Sequence, residues 1–156
     1  MAPARPLKKT KKDDVRAQPR WLYIAAAALA LVGLADSIYL TVQHLNGQGV
    51  QCTVTTGCEE VLTSAYATIG GYPLAAFGAA AYFTAFSLAT LVLFNYVSAR
   101  KLLFYLVMLM LLVSLFLIYV QAFVLGKWCQ YCLLSAAVTF CLTAIVLIDR
   151  FSRARG

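Results

Sequence analysis

Four of the five cysteines in the sequence form two closely spaced pairs, and close pairs are what thiol–disulfide exchange requires. Cys129-x-x-Cys132 stands at the predicted start of a helix, where the helix dipole and unpaired backbone N–H groups favour a thiolate over a thiol. Cys52 and Cys58 enclose a flexible five-residue segment, so a disulfide there would swing between a soluble protein and the other pair. The alternatives are two static bridges that staple the chain, or a zinc site built from the four thiolates.

The elements that must position these pairs are helices that cross a membrane. Of the 156 residues, 62% are apolar and only 12% are charged, which excludes a soluble globular domain. A bilayer core takes about 20 apolar residues per helix, and four runs fit that length: residues 21–40, 73–95, 102–125 and 132–148. The sequence therefore predicts an all-α fold, a four-helix integral membrane bundle that forms one domain, residues 21–149.

The positive charges predict how this bundle is oriented. Twelve of the thirteen Lys and Arg residues lie before the first span, between the second and third spans, or after the fourth. The positive-inside rule assigns these places to the cytoplasm, so both termini are predicted to be cytoplasmic and the long loop 41–72 to be outside. Residues 1–20 and 150–156 are interpreted as basic tails, the first disordered, with a cleaved signal peptide as the alternative for the first. The basic residues flank the spans and are not interleaved with aromatic ones, which argues against a nucleic-acid partner.

This orientation places the four paired cysteines on the outer side, where oxidising conditions permit disulfides. Asp36 is the one acidic residue within a predicted span, and we expect it to relay a proton or to pair with Lys127, the only basic residue of the outer side. The alternative is a carboxylate that reaches the outer membrane interface. His44 is expected to be solvated in the loop. Cys141 is expected to be a small buried hydrophobic residue of the fourth helix.

The order and spacing of these residues resemble the vitamin K epoxide reductase family in its bacterial form. The resemblance runs from about Gly33 to Asp149. It rests on Cys52-x5-Cys58, on the stretches Glu-Glu-Val-Leu-Thr-Ser at 59–64 and Pro-Leu-Ala-Ala-Phe-Gly at 73–78, and on Cys129-x-x-Cys132 at the start of the last helix. In the other well-known four-helix thiol oxidant of bacterial membranes the Cys-x-x-Cys motif lies in the first outer loop, so the order of the pairs distinguishes the two families.

The resemblance implies a route for electrons. Cys52 and Cys58 would exchange with a thioredoxin-fold protein, Cys129 would accept electrons from the loop pair, and Cys132 would face a membrane quinone: ubiquinone, menaquinone or vitamin K. No metal is implied. Family members are often fused to their thioredoxin-like partner, and the short segment after the fourth helix here predicts a separate partner protein.

Three further residues are expected near the quinone. Ser135 and Ala136 lie one helical turn beyond Cys132, where small side chains leave room for a flat ring, although close helix packing also favours small residues. Ser64 matches a family hydroxyl that would donate to a ring carbonyl, or else it caps a short helix over 59–65. Animal members that reduce vitamin K epoxide typically have a tyrosine where this chain has Ala136, which favours thiol oxidation over epoxide reduction.

The predicted function is that of a thiol:quinone oxidoreductase of the bacterial cytoplasmic membrane. It would oxidise an extracytoplasmic thioredoxin-fold protein and so support disulfide formation in exported proteins. One alternative is a quinone or vitamin K epoxide reductase that uses thiol donors. Another is a non-catalytic membrane protein with two structural disulfides.

Overall fold

A computed structural model describes residues 20–155, most of which lie in four long helices. In chain order the helices are α1 (Arg20–Leu45), the short α2 (Cys58–Leu62), α3 (Leu74–Leu93), α4 (Val97–Tyr119) and α5 (Gln130–Ala154). The four long helices are each long and apolar enough to cross a membrane. The predicted all-α membrane bundle is therefore confirmed. Of the tail expected over residues 1–20, residues 1–19 lie outside the part of the chain described here.

The four long helices form a ring in which α1 packs against α3 and α5, and α4 packs against the same two helices. Small residues let α1 and α3 approach closely, as is common in membrane bundles. At Gly33 the approach is closest, because a Cβ there would overlap the buried ring of Tyr82. The buried core that contains Tyr82 includes four alanines from these two helices, namely Ala26, Ala30, Ala85 and Ala89.

The loop between α1 and α3 holds α2, a short 3₁₀ turn (Ala65–Ala67) and a small antiparallel hairpin. The hairpin pairs β1 (Thr68–Ile69) with β2 (Tyr72–Pro73). Gly70 and Gly71 make its two-residue turn with φ angles of +59° and +87°, a conformation that side chains rarely adopt. The second strand of the hairpin therefore leads directly into α3.

Several helix ends differ from the predicted spans. α3 begins at Leu74 because Pro73 is extended and pairs within the hairpin. α4 begins at Val97, five residues before the predicted start. It ends in a π-helical turn (Val120–Leu125), closed by Gly126 at a φ of +60°. α5 continues through Ala154, so residues 150–154 of the expected C-terminal tail are helical.

The early start of α4 and the late end of α5 are explained by an ion cluster at the end of the bundle opposite the paired cysteines. The buried carboxylate of Asp149 accepts a hydrogen bond from the Tyr23 hydroxyl at 2.8 Å. Its Oδ2 also lies 3.2 Å from Arg153 Nε and 3.6 Å from Arg100 Nε. Pairing offsets the desolvation of charge, so these polar residues extend α4 and α5 and join them to α1.

Candidate functional site

Cys129 lies just before α5, where its side chain caps the helix. Its Sγ accepts a hydrogen bond from the backbone N–H of Cys132 at 3.4 Å, one of the N–H groups that a helix start leaves unpaired. The backbone N–H of Cys129 donates in turn to Gln121 Oε1 at 3.0 Å. Cys129 is fully buried, whereas Cys132 is partly exposed, and both are free thiols. Their positions are therefore fixed by the helix start and by a side chain of the π-helical turn.

The surroundings of Cys129 favour its thiolate. The hydrogen bond with the Cys132 side chain lowers the pKa of the Cys129 thiol to about 7, against the opposing effect of burial. Backbone N–H groups of Tyr131 and Cys132 lower the same pKa further. A thiol with a lowered pKa is a better leaving group in disulfide exchange.

The loop cysteines form a disulfide at the start of α2. Cys52 and Cys58 are bonded to one another, and Cys58 is buried. The Thr55 hydroxyl donates to Cys52 Sγ at 3.0 Å from within the enclosed segment. Residues 51–57 contain no helix or strand, so the segment around this disulfide depends on side-chain contacts for its position.

The two pairs meet in one apolar cluster. Cys58, Val61 and Cys129 form its buried centre, and Cys52 and Cys132 are among the partly buried residues around it. A salt bridge between Lys127 and Glu60, with 2.9 Å between Nζ and Oε2, joins α2 to the segment before α5. The fold thus brings together cysteines that are more than 70 residues apart in the sequence.

A cavity of about 670 Å³ lies among the helices on the other side of Cys132. Its wall is mainly apolar, with contributions from α1, α3, α4, α5 and the loop. All of the residues that the sequence analysis placed near a quinone line it, together with Asp36: Ser64, Cys132, Ser135 and Ala136. Cys132 is therefore the cysteine that links the thiol cluster to the cavity.

Polar groups form a small part of the surface of this wall, and several of them have defined contacts. The carboxylate of Asp36 is 8% exposed, and its Oδ2 has no hydrogen-bond partner within residues 20–155. The Tyr82 hydroxyl lies 2.8 Å from Ser135 Oγ and 3.0 Å from Thr139 Oγ1. Ser64 Oγ donates to the carbonyl of Val61 at 2.7 Å, at the end of α2. An apolar cavity with a few oriented polar groups is typical of a small-molecule site.

Tyr82, Gln121 and His44 are residues of the cavity wall that the sequence analysis did not identify as site residues. Tyr82 and Gln121 lie in apolar helices, where a polar residue is a default candidate for function, so a polarity search within the spans would have found them. His44 was wrongly expected to be solvated in the loop. It lies in the last turn of α1 and lines the cavity, because α1 continues to Leu45.

Two other expectations are also corrected. Cys141 is exposed on the outer face of α5, where lipid would surround it, and is not buried. An apolar side chain is as stable against lipid as in the core, so its apolar neighbours did not indicate burial. Lys127 pairs with Glu60 and forms no salt bridge with Asp36 in the described part of the chain.

Comparison with known families identifies the chain. The model of the vitamin K epoxide reductase family matches residues 24–147. The chain belongs to this family. Members use quinones, so the protein is a membrane redox enzyme, and the family predicted from the cysteine order is confirmed. No curated protein matches the sequence.

Proposed function

We propose that this vitamin K epoxide reductase family member oxidises thiols of a separate extracytoplasmic thioredoxin-fold protein and transfers the electrons to a membrane quinone. One observation carries the proposal: the four paired cysteines share one cluster, and Cys132 is also part of the cavity wall. Electrons entering at an exposed loop therefore have a continuous path to membrane depth. The product of the pathway would be disulfide bonds in exported proteins.

The first steps are thiol–disulfide exchanges. A partner dithiol reduces the Cys52–Cys58 disulfide and is itself oxidised. The Cys58 thiolate then attacks Cys129 in a Cys129–Cys132 disulfide, and Cys132 leaves as a thiolate. Attack by Cys52 on Cys58 restores the loop disulfide and releases Cys129, whose low pKa favours this departure.

The cavity fits a quinone as the substrate of the second half-reaction. Its volume of about 670 Å³ and apolar wall suit a lipid-soluble ring, with room beside the small side chains of Ser135 and Ala136. The Ser64 hydroxyl, which now donates to the Val61 carbonyl, would have to turn away from it to donate to a carbonyl oxygen of such a ring. Reduction of a quinone consumes two electrons and two protons, which the Cys129 and Cys132 thiols supply as they form a disulfide.

In the proposed reaction, Asp36 carries a proton between Cys132 and the quinone. Its Oδ2 lies in the same wall as Cys132 and has no hydrogen-bond partner among residues 20–155. Asp36 would accept the Cys132 proton and return it towards the reduced quinone.

The proposed location is the bacterial cytoplasmic membrane, with both termini in the cytoplasm. Arg100, Lys101, Arg150, Arg153 and Arg155 all lie at the end of the bundle away from the paired cysteines. The positive-inside rule then assigns the cysteines to the outer face. An oxidising outer compartment is consistent with a loop disulfide.

The proposal is tested by following quinone absorbance with the purified protein and reduced thioredoxin as donor, using ubiquinone, menaquinone and phylloquinone in turn. We expect Cys132→Ala to abolish quinone reduction, while Cys52 and Cys58 still exchange with the donor. Cys141→Ala, the same change on the lipid-facing side of α5, is the matched control and should have no effect. Normal quinone reduction by Cys132→Ala would refute the proposed route.

The same assay tests Asp36. We expect Asp36→Asn to slow quinone reduction about a hundredfold, the range typical of a lost acid–base group, because the amide neither takes up nor releases a proton near neutral pH. The matched control is Asp149→Asn, which makes the same change to a buried carboxylate at the other end of the bundle and should leave the rate per folded molecule unchanged. If both variants slow the reaction equally per folded molecule, the slowing is a general effect of replacing a buried carboxylate, and Asp36 is not the proton carrier.

A further inference from the structure

Gln130 connects the two cysteine pairs through hydrogen bonds. It stands between Cys129 and Cys132, and its Oε1 accepts from the backbone N–H of Thr53 at 3.1 Å and from that of Val54 at 2.9 Å. The Thr53 hydroxyl lies 3.3 Å from the same oxygen. Thr53 and Val54 directly follow Cys52, so a residue inside one cysteine pair holds a segment inside the other.

These hydrogen bonds hold a segment that has no secondary structure of its own. Residues 51–57 contain no helix or strand, and two adjacent N–H groups of this segment converge on one amide oxygen. Because Gln130 is the first residue of α5, its side chain projects from a rigid helix end. The position of the loop disulfide is thereby tied to the position of Cys129.

The opposite side of the enclosed segment is held by different contacts. Gly57 lies so close to the chain before α5 that a Cβ there would be 2.8 Å from Lys127 Cβ and 3.0 Å from the backbone nitrogen of Trp128. The Lys127–Glu60 salt bridge holds α2 from the same side. Gln130 thus holds the Cys52 side of the segment from α5, while the Gly57 and Lys127–Glu60 contacts hold the Cys58 side.

We propose that Gln130 is a positioning residue for electron transfer between the two pairs. By holding the Cys52 side of the loop it keeps the whole segment, and with it Cys58, docked against Cys129. The inference rests on the proposed function. The step it assists moves no net electrons out of the protein: the Cys58 thiolate bonds to Cys129 sulfur, the Cys129–Cys132 bond breaks, and Cys132 leaves as a thiolate.

The test isolates that step in a Cys52→Ser background, where Cys58 has no loop partner and the Cys58–Cys129 disulfide accumulates. The protein is oxidised in detergent with a small-molecule disulfide, which is reduced to its thiols, and no quinone is present. The Cys58–Cys129 bond is measured by non-reducing digestion and mass spectrometry. We expect Gln130→Met, which keeps the length of the side chain but loses the acceptor, to lower the ratio of bonded to unbonded Cys58 about tenfold. Gln130→Glu keeps an acceptor at the same reach and should stay within about threefold of the reference.

The outcomes separate the two proposals. If the reference protein forms no Cys58–Cys129 bond, the relay itself is overturned, and the role of Gln130 with it. If the bond forms equally with Gln130→Met, the relay stands and the role of Gln130 is overturned. Hydrogen exchange at the Thr53 and Val54 amides supplies a second readout, because Gln130→Met should speed their exchange while the amides of α5 stay protected.

Discussion

The reactivity of single residues centres on Cys129, which is buried and yet poised as a thiolate. Its hydrogen bond with Cys132 favours the charged form more than burial opposes it. Burial alone would have made Cys129 an inert thiol. The pKa of Cys129 is therefore lowered because of its neighbour Cys132, and its buried position alone would not lower it.

This dependence predicts a pH profile. The measurement is the thiolate absorbance of the reduced protein at 240 nm, and subtracting the spectrum of Cys129→Ala isolates the contribution of Cys129. This contribution should titrate with a midpoint at about pH 7. Because the pKa is lowered, the thiolate is present above this pH and is lost as the pH falls below it. Cys132→Ala removes the hydrogen bond and should raise the midpoint towards that of an ordinary thiol. An unchanged midpoint in Cys132→Ala would show that another group stabilises the thiolate.

At this scale the sequence was informative where chemistry depends on neighbours in the chain. The position of Cys129 at a helix start followed from the Cys-x-x-Cys motif and the apolar run after it. Gln121 and Gln130 could not be predicted in the same way, since their partners are Cys129 across a π-helical turn and Thr53 across the loop. The roles of Ser64, Ser135 and Ala136 stay predictions, although all three line the cavity.

Among the elements, the contact between α1 and α3 positions Tyr82, one of the polar residues of the cavity wall. Gly33 leaves room for the Tyr82 ring, and this ring directs its hydroxyl to Ser135 and Thr139 on α5. A larger residue at position 33 would displace the ring and so disturb three helices. Packing and the polar lining of the cavity are thus coupled.

Two glycine substitutions in this contact should differ sharply. A Cβ at Gly33 overlaps the Tyr82 ring, so Gly33→Ala should destabilise the protein by about 1–3 kcal/mol, the usual cost of overpacking. A Cβ at Gly78 would lie 3.2 Å from the Ser37 hydroxyl, which needs only a small shift. Gly78→Ala should therefore change stability by less than about 1 kcal/mol, helped by the better helix propensity of alanine. Thermal unfolding in detergent compares them, and equal midpoints would contradict the packing argument.

The elements themselves were predicted unevenly. Four apolar runs were sufficient to predict four membrane helices, since length and hydropathy decide that question. Their ends were not predictable from hydropathy. The run 102–125 is uniformly apolar and contains nothing that marks the change from α4 to a π-helical turn at Val120. Arg100 lies within α4 because Asp149, far away in the sequence, pairs with it.

For the molecule as a whole, charge is divided between the two ends of the bundle. The cysteine end carries the Lys127–Glu60 pair on its surface. The other end carries the buried Asp149 cluster with its surplus of arginine. This asymmetry is the physical basis for the proposed orientation in the membrane.

Labelling of single introduced cysteines tests the orientation. In a variant without its five native cysteines, Val54→Cys places a thiol in the exposed loop, and Lys101→Cys places one near the start of α4. A membrane-impermeant maleimide should label the first in intact spheroplasts and the second only after permeabilisation. The reverse pattern would mean that the cysteine pairs face the cytoplasm.

The lipid-facing thiol of Cys141 gives the chain an odd number of cysteines, with a consequence for any count of free thiols. Each internal disulfide removes two of the five thiols, so an isolated chain shows one, three or five whatever its pairing. A bond to another molecule through one cysteine changes the parity of that count. An even number of alkylated thiols on a denaturing gel therefore marks a chain bonded through one cysteine to another molecule, and the mass of the band then distinguishes a protein donor from a small thiol.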